Sequence, residues 1–273
     1  MFFKRTARRE IYYKTDEEVE AIRCSCLMVC DTLAHVASMI RPGVTGLKIN
    51  TAAETYIQDL KAIPSFKNYN GFPAALCVSV NEQVVHGFPT DYAFKDGDIV
   101  SVDCGVYFNG FHGDAAYTFA IGDVNADTMR LLKVTKDSLY KGIENAVEGK
   151  RIGDISFAVE DYCKKYHFGV VRELTGHGIG RNLHEEPEVP NYGRRGSGMV
   201  LKSGLVIAIE PMITLGKRDI ATLSDNWTIV TRDKKPAAHF EHTIVVRKQK
   251  ADILSDHIRI ETAIKNNPDL REI

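Results

Sequence analysis

The chain has 273 residues with 35 basic and 36 acidic side chains, and a formal net charge of −1 gives no electrostatic reason to expect nucleic acid or an anionic membrane as main partner. A hydrophobic fraction of 44% is that of a globular protein and excludes a disordered or collagen-like chain. No window holds the roughly 18 uninterrupted apolar residues of a membrane helix. The start of the chain lacks the apolar segment of a secretory signal, so the six cysteines are expected to be reduced thiols of a cytoplasmic protein.

Helical signals open the chain. Thr15 and Glu18 fit a capping box, in which the threonine accepts a hydrogen bond from the first turn and the glutamate reaches back. Apolar residues follow at helical spacing until Pro42 and Gly43 end the run. A long first helix is therefore predicted after Thr15.

Together with this first helix, the predicted elements follow the order helix, helix, strands, and this order occurs twice along the chain. The expected elements after the first helix are a helix at 47–61, strands at 75–80, 99–108 and 115–121, helices at 127–146 and 155–166, and strands near 170–173, 205–213, 227–231 and 242–246. Because no Pro/Gly-rich linker separates the halves, we expect one domain of two similar α/β halves around a shared sheet.

One predicted hairpin brings two aspartates to the same place. Asn109 and Gly110 are the favoured pair for a two-residue type I′ turn, since both positions need a positive φ. This turn places Asp114 opposite Gly105, and strand alternation puts Asp103 on the same face. The two carboxylates are then diagonal neighbours, with backbones roughly 7–8 Å apart.

Two like charges on one strand face repel each other, and strands disfavour aspartate. The pair could be two exposed residues of a polar face, and the hairpin alone leaves that interpretation open. A bound divalent cation would instead make the pairing favourable, because carboxylates suit hard or borderline metals.

Three further polar residues lie within apolar or glycine-rich strings. His177 stands among glycines, which allow other backbone to approach it closely. Glu210 ends one buried-looking run and Glu241 begins another, where a charge is unfavourable unless it is paired. Each signal is weak alone, and a single histidine is more often structural than a ligand.

In the order Asp, Asp, His, Glu, Glu, and with their neighbours, these residues resemble the methionine aminopeptidases of type I. The resemblance runs from about residue 12 to residue 246. Its most specific motifs are SVNEQVVHGFP from Ser79, DCG from Asp103, GD at Gly113, GHGIGRNLHEEP from Gly176, IEPM from Ile209 and FEHT from Phe240.

This resemblance implies an α/β (α+β) pita-bread fold, in which two pseudo-symmetric α/β halves surround a curved, mainly antiparallel sheet. Residues 1–11 would be an N-terminal arm, 12–250 a single catalytic domain and 251–273 a C-terminal tail. It also implies a metal-dependent enzyme that removes the initiator methionine from nascent proteins and prefers a small second residue. The expected partners are nascent polypeptides with N-terminal methionine and the ribosome, with no membrane, and the family default is a monomer.

The resemblance assigns five ligands to two divalent metal ions: Asp103, Asp114, His177, Glu210 and Glu241. Charge arithmetic agrees, because four carboxylates carry −4, two divalent cations carry +4 and a neutral imidazole adds nothing. A mixed oxygen and nitrogen ligand set fits Co²⁺, Mn²⁺, Fe²⁺ or Zn²⁺.

The resemblance also assigns catalytic roles. Glu210 would move the proton of the attacking water, while His86 and His184 would contact the scissile peptide and stabilise charge on the tetrahedral intermediate. Aromatic rings and a thiol would hold the methionine side chain. The expected substrate-binding residues are Tyr69, Phe72, Cys77, His86, His184 and Trp227.

Two departures from the family pattern occur near these positions. Leu183 stands beside the second histidine, where an aromatic residue is usual, and this bears on the width of the pocket. Gly105 replaces a hydroxyl residue that some members carry near the metals.

Two other functions remain as alternatives. The first is a proline-directed aminopeptidase or dipeptidase on the same scaffold, but these enzymes carry an extra N-terminal domain and only about 70 residues precede the first motif here. (The subfamily is a separate matter: type II methionine aminopeptidases carry an insertion between the two glutamates, which are 31 residues apart in this chain, 241 − 210.) A non-catalytic pita-bread binding protein would be expected to lose metal ligands, and all five are present.

Overall fold

The structure is a computed structural model that describes residues 10–273. The predicted N-terminal arm lies, except for its last two residues, outside the described residues. The helices of the described part are α1 (Asp16–Met39), α2 (Gly46–Asp59), α3 (Ala126–Ile143), α4 (Ile152–Lys164) and α5 (His257–Lys265). Its strands are β1 (Ile63–Pro64), β2 (Leu76–Val80), β3 (Gln83–Val85), β4 (Ile99–Phe108), β5 (Phe111–Ile121), β6 (Gly169–Val170), β7 (Thr175–Gly178), β8 (Glu185–Pro190), β9 (Val206–Ile209), β10 (Met212–Thr214), β11 (Ile220–Thr222), β12 (Ile229–Thr231), β13 (Ala237–His239), β14 (His242–Val245), β15 (Asp252–Ile253) and β16 (Leu270–Arg271).

Helix α1 begins as the sequence predicts. The backbone N–H of Glu18 donates to the Thr15 hydroxyl at 3.3 Å, and the Thr15 N–H donates to the Glu18 carboxylate at 3.1 Å. By length and composition alone this helix could cross a membrane, but half of its most apolar window is buried inside the domain. Its apolar stripe packs on β4 and β5, so α1 serves as a core helix.

The two predicted α/β halves are confirmed. The first half joins α1 and α2 to a sheet of order β1-β4-β5-β16, with β2 also paired to β4. The second joins α3 and α4 to a sheet of order β15-β14-β9-β7-β8 and to the smaller sheet β13-β10-β6. Every paired strand among the described residues runs antiparallel to its neighbour, and β14 contacts β5 where the halves meet.

The predicted hairpin has the predicted register. Asn109 and Gly110 have φ values of 48° and 88°, and Asp114 lies opposite Gly105 in the β4–β5 ladder. The turn chemistry of two residues therefore determines which face the aspartates share.

One predicted strand is interrupted. The run at 205–213 is divided into β9 and β10, because Pro211 has no N–H for a ladder and the Glu210 carbonyl instead accepts a hydrogen bond from Asn191 at 3.0 Å. The two pieces belong to different sheets, so Glu210 lies at the junction between them.

The segment expected as a C-terminal tail is folded onto the domain. Strand β15 pairs with β14, α5 packs on α1 and β16 pairs with β5. The Asn267 side chain donates to the carbonyls of Ala37 and Ile40, which satisfies two groups at the end of α1.

Gly113 allows α1 to lie directly on β5. A Cβ atom at this position would be 2.3 Å from the backbone nitrogen of Cys26 and 2.6 Å from the carbonyl carbon of Ser25. Because both atoms belong to the helix backbone, no side-chain movement could relieve the contact. The position of α1 is thereby tied to the residue that precedes Asp114.

We expect Gly113→Ala to lower the free energy of unfolding by about 3 kcal/mol, because the new methyl group must move α1 away from β5. The matched control is Gly149→Ala, where a methyl group enters open space and only the positive φ of 87° costs energy, about 1 kcal/mol. Urea denaturation followed by circular dichroism measures both losses. Equal losses for the two variants would contradict the close packing of α1 on β5.

Candidate metal centre and active site

All the site residues that the sequence predicts line one cavity of about 350 Å³. It lies where the two halves meet, and its predicted lining residues are Tyr69, Phe72, Cys77, His86, Asp103, Asp114, His177, His184, Glu210, Trp227 and Glu241. These residues come from both halves of the chain. Folding therefore brings together every position that the family resemblance selects.

The four carboxylates reach the cavity from three places in the fold. Asp103 on β4 and Asp114 on β5 are diagonal neighbours in one ladder. Glu210 lies in the break after β9, and Glu241 lies between β13 and β14. Each glutamate is thus at a point where a strand changes sheet, which frees its side chain to face the aspartates.

His177 presents a lone pair to these carboxylates. Its Nδ1 lies 2.9 Å from the Gly178 carbonyl oxygen, and a carbonyl only accepts, so Nδ1 carries the hydrogen. The Nε2 lone pair then faces Glu210 Oε1 at 3.6 Å and Asp114 Oδ2 at 4.0 Å. When both carboxylates are ionised, three acceptor atoms converge with no hydrogen between them, which is the environment of a cation.

Unpartnered oxygens support the same conclusion. Asp103 Oδ1, Asp114 Oδ1 and Glu241 Oε1 are buried and have no hydrogen-bond partner among the described residues. Ligand atoms of Asp114, His177 and Glu241 lie within 4.8 Å of one another. A buried carboxylate oxygen without a donor is costly unless a metal ion replaces the donor.

The pKa values report how strongly this cluster resists ionisation without a cation. Burial, with neighbouring carboxylates, raises the pKa of Asp103 to about 7 and that of Asp114 well above its usual value. Burial raises the pKa of Glu210 to about 8, and burial with nearby carboxylates raises that of Glu241 strongly. Burial lowers the pKa of His177 to about 3, so the imidazole is neutral and able to ligate. The donor set fits divalent metal ions.

Two further histidines line the cavity. His86 has a φ of 57°, a left-handed conformation that is strained for this residue and is typical of functional positions. Burial lowers the pKa of His86 to about 4 and also lowers that of His184, so both rings are neutral near pH 7. The Tyr69 hydroxyl lies 2.8 Å from His184 Nδ1 and fixes that ring.

The segment that carries His184 is anchored from the N-terminal side. Glu185 forms an ion pair with Lys14, and the two side chains are only 4% and 5% exposed. The second carboxylate oxygen of Glu185 accepts from the Asn182 N–H at 3.1 Å. This buried pair therefore ties residues ahead of α1 to the loop beside the cavity.

Apolar rings and a thiol form one side of the cavity. The ring of Phe72 packs edge-on against Trp227 with centroids 5.2 Å apart, and the centroid of the Phe88 ring lies 5.3 Å from that of Phe72. Cys77 is buried, and burial raises its thiol pKa well above the usual value, so the sulfur is uncharged. Such a surface suits an unbranched thioether side chain.

The two departures from the family pattern have structural explanations. A Cβ atom at Gly105 would lie 2.7 Å from the ring of Phe66 and 2.9 Å from Ser65 Cβ, so this ring occupies the space of a larger residue. Leu183 is buried and lines the cavity, so the position contributes an aliphatic wall.

Sequence reasoning did not assign roles to Phe66, Leu174, Met212 or His239, which also line the cavity. The three apolar residues look like ordinary core positions, and no sequence signal distinguishes them. A weak signal for His239 existed, since it precedes the predicted ligand Glu241 by two residues.

Metal addition is expected to stabilise the chelated protein. Adding Mn²⁺ should raise the melting temperature, because a cation offsets carboxylate repulsion, and saturation at 100 times the dissociation constant adds about 2.7 kcal/mol. Asp103→Asn should lose most of this increase, whereas Asp91→Asn at an exposed position should retain it. Differential scanning calorimetry of the three proteins decides the point, and an unchanged wild-type melting curve would refute the metal centre.

Known proteins resemble this chain in sequence and in fold. The model of metallopeptidase family M24 matches residues 20–248. The methionine aminopeptidase of Clostridium acetobutylicum is 47% identical over 246 residues, which cover 90% of this chain and 98% of that protein. Methionine aminopeptidase 1 of Bacillus subtilis is 46% identical over 245 residues, which cover 90% and 99%.

A solved structure of another methionine aminopeptidase is similar to this chain in fold. The crystal structure of the methionine aminopeptidase from Rickettsia prowazekii has a TM-score of 0.89 and 40% identity, covering 90% of this chain and 100% of that one. The likeness extends over the whole domain that surrounds the cavity and confirms the predicted pita-bread fold. This chain therefore belongs to metallopeptidase family M24, among its methionine aminopeptidases.

Proposed function

We propose that this protein is a metal-dependent aminopeptidase that removes the N-terminal methionine from polypeptides and prefers a small second residue. The observation that carries the proposal is a single cavity in which five side chains of metal-ligand type, two neutral histidines and apolar rings meet. The relatives that align over 90% of the chain bear the name of this activity.

Five residues would hold the metal: Asp103, Asp114, His177, Glu210 and Glu241. Two divalent cations, when bound, would supply Lewis acidity and lower the pKa of a water molecule toward neutrality. The number two balances the charge of four carboxylates, and the oxygen and nitrogen donors fit Mn²⁺, Fe²⁺, Co²⁺ or Zn²⁺.

Glu210 is the proposed proton carrier. It lies beside His177 in the break between two sheets, where its carboxylate faces the cavity rather than a strand partner. From this position it would take a proton from the attacking water and pass it to the leaving amine.

His86 and His184 are the proposed contacts to the scissile peptide. As neutral rings, each can donate one N–H to a peptide oxygen and strengthen that bond as charge develops. Tyr69 holds Nδ1 of His184, so Nε2 is the nitrogen that would meet the substrate. Because the two rings would flank the second residue, a small side chain fits best there.

Nascent polypeptides with N-terminal methionine are the proposed substrates, met at the ribosome. Six free cysteines suit the reducing conditions of the cytoplasm. A monomer is the proposed active form, as the family resemblance implies.

Substrate choice tests the proposal directly. Protein loaded with Mn²⁺ should release methionine from Met-Ala-Ser, because the apolar pocket accepts the thioether and the site faces a free chain end. N-acetyl-Met-Ala-Ser is the matched control and should remain intact. Faster cleavage of Ala-Pro-Ser than of Met-Ala-Ser would favour a proline-directed peptidase, and no cleavage of any peptide would favour a binding protein.

Replacing His86 should separate chemistry from metal binding. His86→Ala is expected to lower kcat on Met-Ala-Ser by roughly 100-fold, the usual effect of losing one such donor, and to leave the Mn²⁺-induced rise in melting temperature unchanged. His167→Ala is the matched control, since His167 has a similar φ of 61° and is exposed outside the cavity. A normal kcat in the His86 variant would remove this residue from the mechanism.

A further inference from the structure

The cavity holds an additional histidine that the proposed mechanism does not use. His239 ends β13, is only 1% exposed and lines the cavity beside the carboxylates. Neither of its ring nitrogens has a hydrogen-bond partner among the described residues. Burying two unpaired ring nitrogens is costly, so this histidine needs an explanation beyond packing.

The backbone of His239 is held on both sides. The Thr118 hydroxyl accepts from the His239 N–H at 3.0 Å and donates to the His239 carbonyl at 2.7 Å, and Ser101 lies 2.8 Å from the same hydroxyl. His239 also pairs with Met212 across the β10–β13 ladder. The base of the imidazole is therefore fixed relative to the strand that follows Glu210.

The ring faces the proposed proton carrier. His239 Nε2 lies 3.5 Å from Glu210 Oε2, while His177 Nε2 lies 3.6 Å from Glu210 Oε1. Each oxygen of this one carboxylate thus has its own histidine. A catalytic hydrogen bond is commonly longer before substrate binds and tightens in the complex.

The two histidines offer different chemistry at these similar distances. His177 has committed its hydrogen to the Gly178 carbonyl, so its Nε2 can only accept or ligate. The ring of His239 has no such commitment, so its Nε2 is free to carry the hydrogen and donate. Glu210 therefore has two different neighbours. Oε1 faces a nitrogen of His177 that can only accept or ligate, and Oε2 faces a nitrogen of His239 that can donate.

We propose that His239 is a positioning residue that donates from Nε2 to Oε2 of Glu210 and aims the carboxylate for proton transfer. The inference rests on the proposed peptidase function. The terminal torsion of glutamate is broad, so without this donor the carboxylate would rotate away from one orientation. The hydrogen bond fixes that torsion and leaves Oε1 directed toward His177.

A matched pair of variants tests the role. His239→Gln keeps an N–H donor near the position of Nε2, and His239→Met has similar length without any donor. With Mn²⁺ and Met-Ala-Ser, the Gln variant should keep kcat within about threefold of wild type, and the Met variant should lose roughly 10- to 100-fold, the cost of a misplaced catalytic group. KM and the Mn²⁺-induced rise in melting temperature should match wild type in both.

Other outcomes overturn the inference in distinguishable ways. A smaller Mn²⁺-induced rise in both variants would make His239 a metal ligand, and a raised KM with normal kcat would make it a substrate contact. Equal loss of kcat in the Gln and Met variants would indicate packing alone. Wild-type protein that fails to cleave Met-Ala-Ser would remove the proposed function and this role together, whereas an active wild type with an equally active Met variant removes only the role of His239.

Discussion

Mutual repulsion among four buried carboxylates is the constraint on which this structure depends. Their oxygens converge in one cavity, and burial makes each of them resist ionisation. Near neutral pH such a cluster either holds protons or is balanced by cations, and no arginine or lysine lines the cavity within the part of the chain that the structure describes. Divalent metal ions would therefore stabilise the ionised form of the fold as well as take part in the reaction.

The fold meets this constraint by ending strands at the cavity. Glu210 and Glu241 both lie in breaks between strands of different sheets, and the aspartates share the face of one hairpin. Gly113 lets α1 press on that hairpin beside Asp114. Behind the cavity, His257 Nε2 lies 2.9 Å from the Glu241 carbonyl, so α5 also supports a ligand-bearing segment.

The histidines of the cavity differ through the hydrogen bonds that their nitrogens make. Gly178 fixes the hydrogen of His177 on Nδ1 and prepares Nε2 to ligate. Tyr69 lies at Nδ1 of His184, so Nε2 is the nitrogen proposed to meet the substrate. Among residues 10–273, neither ring nitrogen of His239 has a hydrogen-bond partner, so the ring is available to donate to Glu210. One residue type can therefore provide the proposed metal ligand, the proposed substrate contact and the proposed positioning donor.

The sequence alone determined the features that depend on neighbours along the chain. The capping box of Thr15, the positive-φ turn at Asn109 and Gly110, and the alternation that pairs Asp103 with Asp114 are local, so short motifs specify them. The five proposed metal ligands were recognisable because their motifs are specific, although only folding places them in one cavity. Tertiary structure alone decided what depends on distant contacts. These features are the sheet change at Glu210, the Phe66 ring in the space beside Gly105, the folded segment after residue 250 and the unpartnered ring of His239, each set by atoms far apart in the sequence.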